Sequence, residues 1–192
     1  MNELRYAFKE WAVICQALAE GRQALILRKG GIAEQGGEFQ VEHTRFWLYP
    51  TFVHEKQGGI RPDAAELLKK VEAERPARHL VRLTHFAEVD GLYHLHDIAA
   101  ALRLQPLHLW SRETVQARFL YRSPGLYVLP VRVYHAAQAT DLPETAAYAG
   151  CKTWVDLGQY LPTTGATPVL SDAAFYEVRR QLEAILQPTA MA

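Results

Sequence analysis

The sequence predicts an α+β fold: a mixed β-sheet with flanking helices that are amphipathic at both the N- and C-terminal ends. Three observations carry this. Apolar residues recur at steps of three and four near both ends of the chain. Between them lie short runs rich in β-branched and aromatic residues, such as Phe46 to Tyr49 and Leu126 to His135. No internal repeat and no low-complexity segment interrupts these runs. With 192 residues, 49% of them hydrophobic and 22% charged, the chain has the size and composition of one folded domain, 1–192. Residues 143–192 read as a C-terminal extension packing on that core.

The elements follow in order. Leu4, Phe8, Trp11, Cys15 and Leu18 form an apolar stripe that predicts a helix over 3–20, stopped by Gly21. Ala24 to Leu27 predicts a strand buried on both faces and ended by Arg28 and Lys29. Phe39, Val41 and His43 alternate with polar residues, and Phe46 to Tyr49 continues the strand-like composition up to Pro50. Pro62 opens a helix whose face is Ala64, Leu67, Leu68 and Val71. Asp90-Gly91 lies between two strand-like runs and predicts a two-residue β-hairpin turn. Asp97 and Ser111 predict N-caps of two short helices. Pro130 marks the following strand as an edge or a bulge. Residues 143–168 are loop-rich with one short strand near Trp154, and Ser171 caps a last helix carrying Phe175, Val178, Leu182 and Ile185.

Charge bounds the function. The 21 Lys plus Arg cancel the 21 Asp plus Glu, so any site for a polyanion is a local patch. Two cysteines make neither a disulfide framework nor a Cys-rich zinc site, and they suit a reducing, cytoplasmic setting. The apolar stretch from Trp11 to Ala19 lacks a positively charged leader, and no run is long enough to span a membrane.

Two constellations can carry chemistry. Arg22, Arg28 and Lys29 bracket the first buried strand and precede Gly30-Gly31, a combination suited to phosphate, with Trp47 or Tyr49 placed to stack a base. Arg118 and Arg122, four residues apart, form a weaker basic patch. Alternatively, Glu42, His43, His54 and Glu55, with Glu38 nearby, supply the carboxylates and imidazoles that general acid-base or metal-assisted hydrolysis uses. His94 and His96 share a strand face, but Ile98 and Ala99 stand where a metallo-β-lactamase-like motif continues its ligands. No nucleophile elbow, phosphate-cradling loop or dinucleotide motif is present in the sequence. No cofactor and no metal are expected.

At Lys9-Glu10-Trp11-Ala12, Leu27 to Ile32, Phe39 to Glu55 and Tyr148 to Val155 the chain resembles a bacterial family known as domain-of-unknown-function family 1802. That resemblance implies an association with restriction-modification systems and a restriction-type nuclease as partner. A second resemblance concerns fold: Gly21-Arg22 followed by Arg28 is similar to the signature of ASCH domains, which belong to the PUA-like β-barrels that bind RNA or read modified bases. Ile26 stands where that signature has its acidic residue. The resulting expectation is a non-catalytic module that binds DNA or RNA. The alternatives are a small metal-dependent hydrolase or nuclease and a protein-interaction subunit.

Overall fold

The computed structural model describes residues 2–29, 39–52, 57–150 and 152–186. Eight strands and five α-helices are placed: β1 (Glu3–Trp11), α1 (Ala12–Ala19), β2 (Leu25–Arg28), β3 (Arg45–Thr51), α2 (Ala65–Ala73), β4 (Leu80–Val89), β5 (Tyr93–Leu95), α3 (Ile98–Arg103), α4 (Arg112–Leu120), β6 (Leu126–Pro143), β7 (Trp154–Pro162), β8 (Thr167–Pro168) and α5 (Asp172–Leu186). The class is α+β, as expected. The sheet is mixed and open, running β2-β6-β4-β3-β1-β7, with β5 and β8 also on β6. Because β2 and β7 stand at opposite ends of that path, the sheet is not a closed barrel. β1 and β3 pair in parallel, and the other described pairs are antiparallel.

Three local expectations are corrected. Residues Glu3–Trp11, expected as the first half of a helix, form β1, and the helix is confined to Ala12–Ala19. Ala7 and Phe8 are both fully buried, so both faces of β1 are covered and the alternation that betrays a strand is lost. Residues 39–44 are irregular, and the strand begins only at Arg45. Asp90-Gly91 makes no hairpin. β4 and β5 lie end to end along the same edge of β6, with Val89 opposite Val131 and Tyr93 opposite Val128, so the dipeptide is an offset in one long ladder. Pro130 sits beside this interruption, where its carbonyl accepts from the Asp90 amide at 2.9 Å.

Other signals act as expected. Gly21 closes α1 with φ +67°, and a Cβ there would lie 2.7 Å from Leu170. Asp97 accepts hydrogen bonds from the amides of Ala99 and Ala100, and Ser111 accepts one from Thr114. The Ser171 hydroxyl accepts from the Ala174 amide at the start of α5. One face of the sheet packs with Ile14, Leu18, Trp110 and Phe119 from α1, α4 and the segment before it. The opposite face gathers Trp47, Tyr49, Phe86, Leu142 and Tyr148 in a second cluster. No helix among the described residues is long and apolar enough to cross a membrane.

Candidate nucleic-acid interface

Parallel pairing places the C-terminal ends of β1 and β3 side by side, with Lys9 opposite Tyr49 and Trp11 opposite Thr51. A cleft of about 490 Å³ opens at those ends. Arg28 enters it from the end of β2, Arg118 from α4, Arg82 from β4, and Arg75 and Arg78 from the segment after α2. With Lys9 and Lys152 the lining holds seven cationic side chains against two carboxylates, Glu10 and Glu144.

The cations differ in how firmly they are held. Arg28 lies over the Phe8 ring, 4.8 Å from its centroid, donates to the Thr153 hydroxyl at 3.1 Å and pairs with Glu10 at 3.5 Å. The Arg118 guanidinium stacks 3.6 Å from the Trp110 ring centroid and donates to the Leu27 carbonyl at 3.2 Å. Burial pushes the Arg118 pKa down to about 10, partly opposed by the charge of Glu10, which leaves it a cation at neutral pH. Lys9 donates to the carbonyls of Tyr148 and Gly150 and lies over the Tyr49 ring. Arg82 is bidentate with Asp141. At the rim, Arg75 lies 4.4 Å above the Phe52 ring, and Arg78 has no charged or hydrogen-bonding partner among the described residues.

Of the two acids, Glu10 is 2% exposed. Its Oε1 accepts from the Trp11 amide at 2.9 Å, while Oε2 has no hydrogen bond among the described residues. It is the buried counter-charge that holds Arg28 in place and lies near Arg118. Glu144 accepts from the Tyr49 hydroxyl at 3.3 Å. Burial, reinforced by the Glu144 charge, pushes the Tyr49 phenol well above its ordinary range.

The expected site residues separate accordingly. Arg28 lines the cleft. Arg22 is exposed before β2, next to Glu20 and Asp63, and does not reach it. Lys29, expected to meet phosphate, instead donates to the carbonyls of Phe119, Ser123 and Gly125 and so ties β2 to the end of α4. Trp47 is fully buried, with its indole N–H on the Leu4 carbonyl, so a base cannot stack on it. Tyr49 borders the cleft but is 2% exposed, so its ring offers little face to a base. Glu42 is exposed. His43 stacks on Tyr6 at 3.6 Å and meets Trp154 edge-on. Burial lowers its pKa, with Glu42 and Asp156 pulling the other way. Neither residue lines the cleft. His54, Glu55 and Glu38 lie outside the described residues. Among those described, no three His, Cys, Asp or Glu side chains gather as a metal site.

Sequence reasoning missed Lys9, Glu10, Phe52, Arg75, Arg78, Arg82 and Lys152 as cleft residues. Part of the signal was present, because Lys9 to Trp11, Arg28, Tyr49 to Thr51 and Gly150 belong to the segments on which the family resemblance rests, and these segments meet at the cleft.

No functionally curated protein matches the sequence. Among solved structures, the fold is similar to a mutant of an ASCH protein from Zymomonas mobilis at 12% identity, covering 91% of this chain and 94% of that one with a TM-score of 0.45. The ASCH structure without a stated mutation is similar at 13% identity, 93% of each chain and a TM-score of 0.41. The family described as Domain of unknown function (DUF1802) matches residues 7–181, nearly the whole chain, and the protein belongs to that family.

Proposed function

We propose that the protein is a non-catalytic nucleic-acid-binding module of the cytoplasm, and that the cleft at the ends of β1 and β3 is where it takes the phosphate backbone. The observation that carries this reading is the collection of seven cations against two carboxylates in one concave surface of a chain whose formal charges cancel. Guanidinium groups match phosphate with paired donors, and Arg28 and Arg118 are held by Glu10, Phe8 and Trp110 rather than waving in solvent, which lowers the entropy cost of binding. A restriction-type nuclease is the partner that the family resemblance suggests. The hydrolase alternative draws no support from Glu42 and His43, which sit on the surface and on Tyr6 away from the cleft.

Anisotropy titrations of labelled DNA and RNA oligonucleotides over a salt series test the reading. Affinity falls linearly on a double-logarithmic salt plot, and Arg28→Gln or Arg78→Gln each lowers the slope by roughly 0.7 to 0.9, the value of one lost phosphate contact. Absence of binding to every oligonucleotide at low salt overturns it.

A further inference from the structure

We infer that the rim of the cleft is a base-stacking platform made by Phe52 and Arg75, and that it makes the site selective for unpaired over duplex nucleic acid; the inference rests on the proposed nucleic-acid reading of the same cleft. Phe52 follows the last residue of β3 and stays partly exposed, whereas the aromatics before it, Trp47 and Tyr49, are turned into the core. The Arg75 guanidinium already lies on the Phe52 ring at 4.4 Å, so the ring presents an open face to a flat, polar group. Arg75 is exposed and carried on a long side chain, free to move off the ring and cover the second face of an entering base. Arg78, three residues on and without a described partner, stands ready for the adjoining phosphate. Size points the same way: about 490 Å³ is within the ~300 to 1,000 Å³ of sites that enclose a small molecule, room for a nucleotide or two and not for a duplex. In a duplex the faces of the bases are already covered by their neighbours, so the platform gains nothing from it. Stacking on one ring tolerates any base, so little sequence preference is expected.

The experiment compares single-stranded and duplex oligonucleotides of equal length in the wild type, Phe52→Leu, Phe52→Trp and Arg75→Gln. Phe52→Leu keeps an apolar side chain at the rim and removes the π-face, so single-strand affinity falls about tenfold and duplex affinity does not change. Phe52→Trp retains single-strand binding, and its added indole emission is quenched by single strands and not by duplex. Arg75→Gln weakens single-strand binding more than duplex binding. A wild type that binds duplex as tightly as single strand, or a Phe52→Leu variant that loses both equally, overturns the platform while leaving the basic cleft intact. A wild type that binds neither overturns the cleft reading and the platform with it.

Discussion

The two ends of β1 carry similar chemistry arranged to opposite effect. At the outer end, Arg5 and Asp156 form an exposed bidentate pair at 2.7 Å, and His43 lies flat on Tyr6, so these groups are answered by a neighbour at the surface. At the inner end, Glu10 is buried beside Arg28 and Arg118 and is outnumbered by them. A charge that is matched locally is finished structure. A surplus of one sign, held rigidly in a concavity, is free to be completed by a ligand.

The carboxylates sharpen this contrast most. Replacing Glu10 by Ala leaves Arg28 and Arg118 facing each other without their buried counter-charge, and the expected loss is about 3 to 5 kcal/mol of unfolding free energy. Asp156→Ala breaks a pair whose members are 36% and 45% exposed, and the expected loss is under about 1 kcal/mol. Urea denaturation of both variants measures the difference, and similar small losses from the two would erase the distinction between the ends.

His108 and His43 differ in how far charged neighbours offset their burial. His108 is 1% exposed, neither ring nitrogen has a described hydrogen-bond partner, and burial together with Arg61 and Arg118 lowers its pKa from 6.5 to about 4. Because the folded pKa lies below the unfolded one, the unfolded chain takes up the proton first. The contribution of a neutral His108 is therefore complete above pH 6.5 and is lost as the pH falls towards 4, at about 1.4 kcal/mol per pH unit. His108→Phe flattens the stability profile across that window. His43→Phe changes it much less, because Glu42 and Asp156 offset the effect of its burial. Profiles of equal steepness in the wild type and His108→Phe would show that this ring does not titrate as its surroundings require.

Sequence patterns conveyed the elements whose causes are local. Asp97, Ser111 and Ser171 cap helices because a side-chain oxygen needs only the next two or three amides, and Gly21 ends α1 through its own backbone freedom. β1 was hidden because both its faces are covered, so its apolar residues could be picked out at helical steps as readily as at alternate ones. The Asp90-Gly91 signal was real turn chemistry put to a different use, since both flanking strands found a longer partner in β6. Of the cleft, Arg28, Tyr49 and Arg118 were legible as separate features and not as one site. Arg75, Arg82 and Lys152 come from three further stretches, and only the folded chain brings them beside the ends of β1 and β3.

Adjacent residues offer the third test. Arg28 and Lys29 look alike in sequence, yet one faces the cleft and the other holds three carbonyls at the end of α4. Lys29→Met is expected to cost roughly 1 to 3 kcal/mol through unsatisfied carbonyls and to leave oligonucleotide affinity of the folded protein unchanged. Arg28→Gln is expected to reduce affinity. Denaturation paired with anisotropy separates the two, and an affinity loss in folded Lys29→Met would return that lysine to the binding surface.

The smallest effects are expected at the outer end, where sequence composition had pointed to a site. His43→Ala removes the stack on Tyr6 and the edge contact with Trp154, interactions worth about 0.5 to 1.5 kcal/mol in aromatic pairs. Glu42→Gln alters an exposed carboxylate and is expected to change stability by less than about 0.5 kcal/mol. Neither change touches a residue that lines the cleft, so affinity for oligonucleotides and its salt slope stay at the wild-type values. The reason is geometric: His43 lies by Tyr6, four residues along β1 from Glu10, and strand rise makes that separation about 13 Å. At that distance across a solvated surface, loss of one side chain is largely screened from the phosphate contacts. Thermal melts with parallel titrations decide the matter. A variant of His43 or Glu42 that melts like the wild type and fails to bind would move the ligand to the outer end of β1 and leave the basic cleft a structural feature.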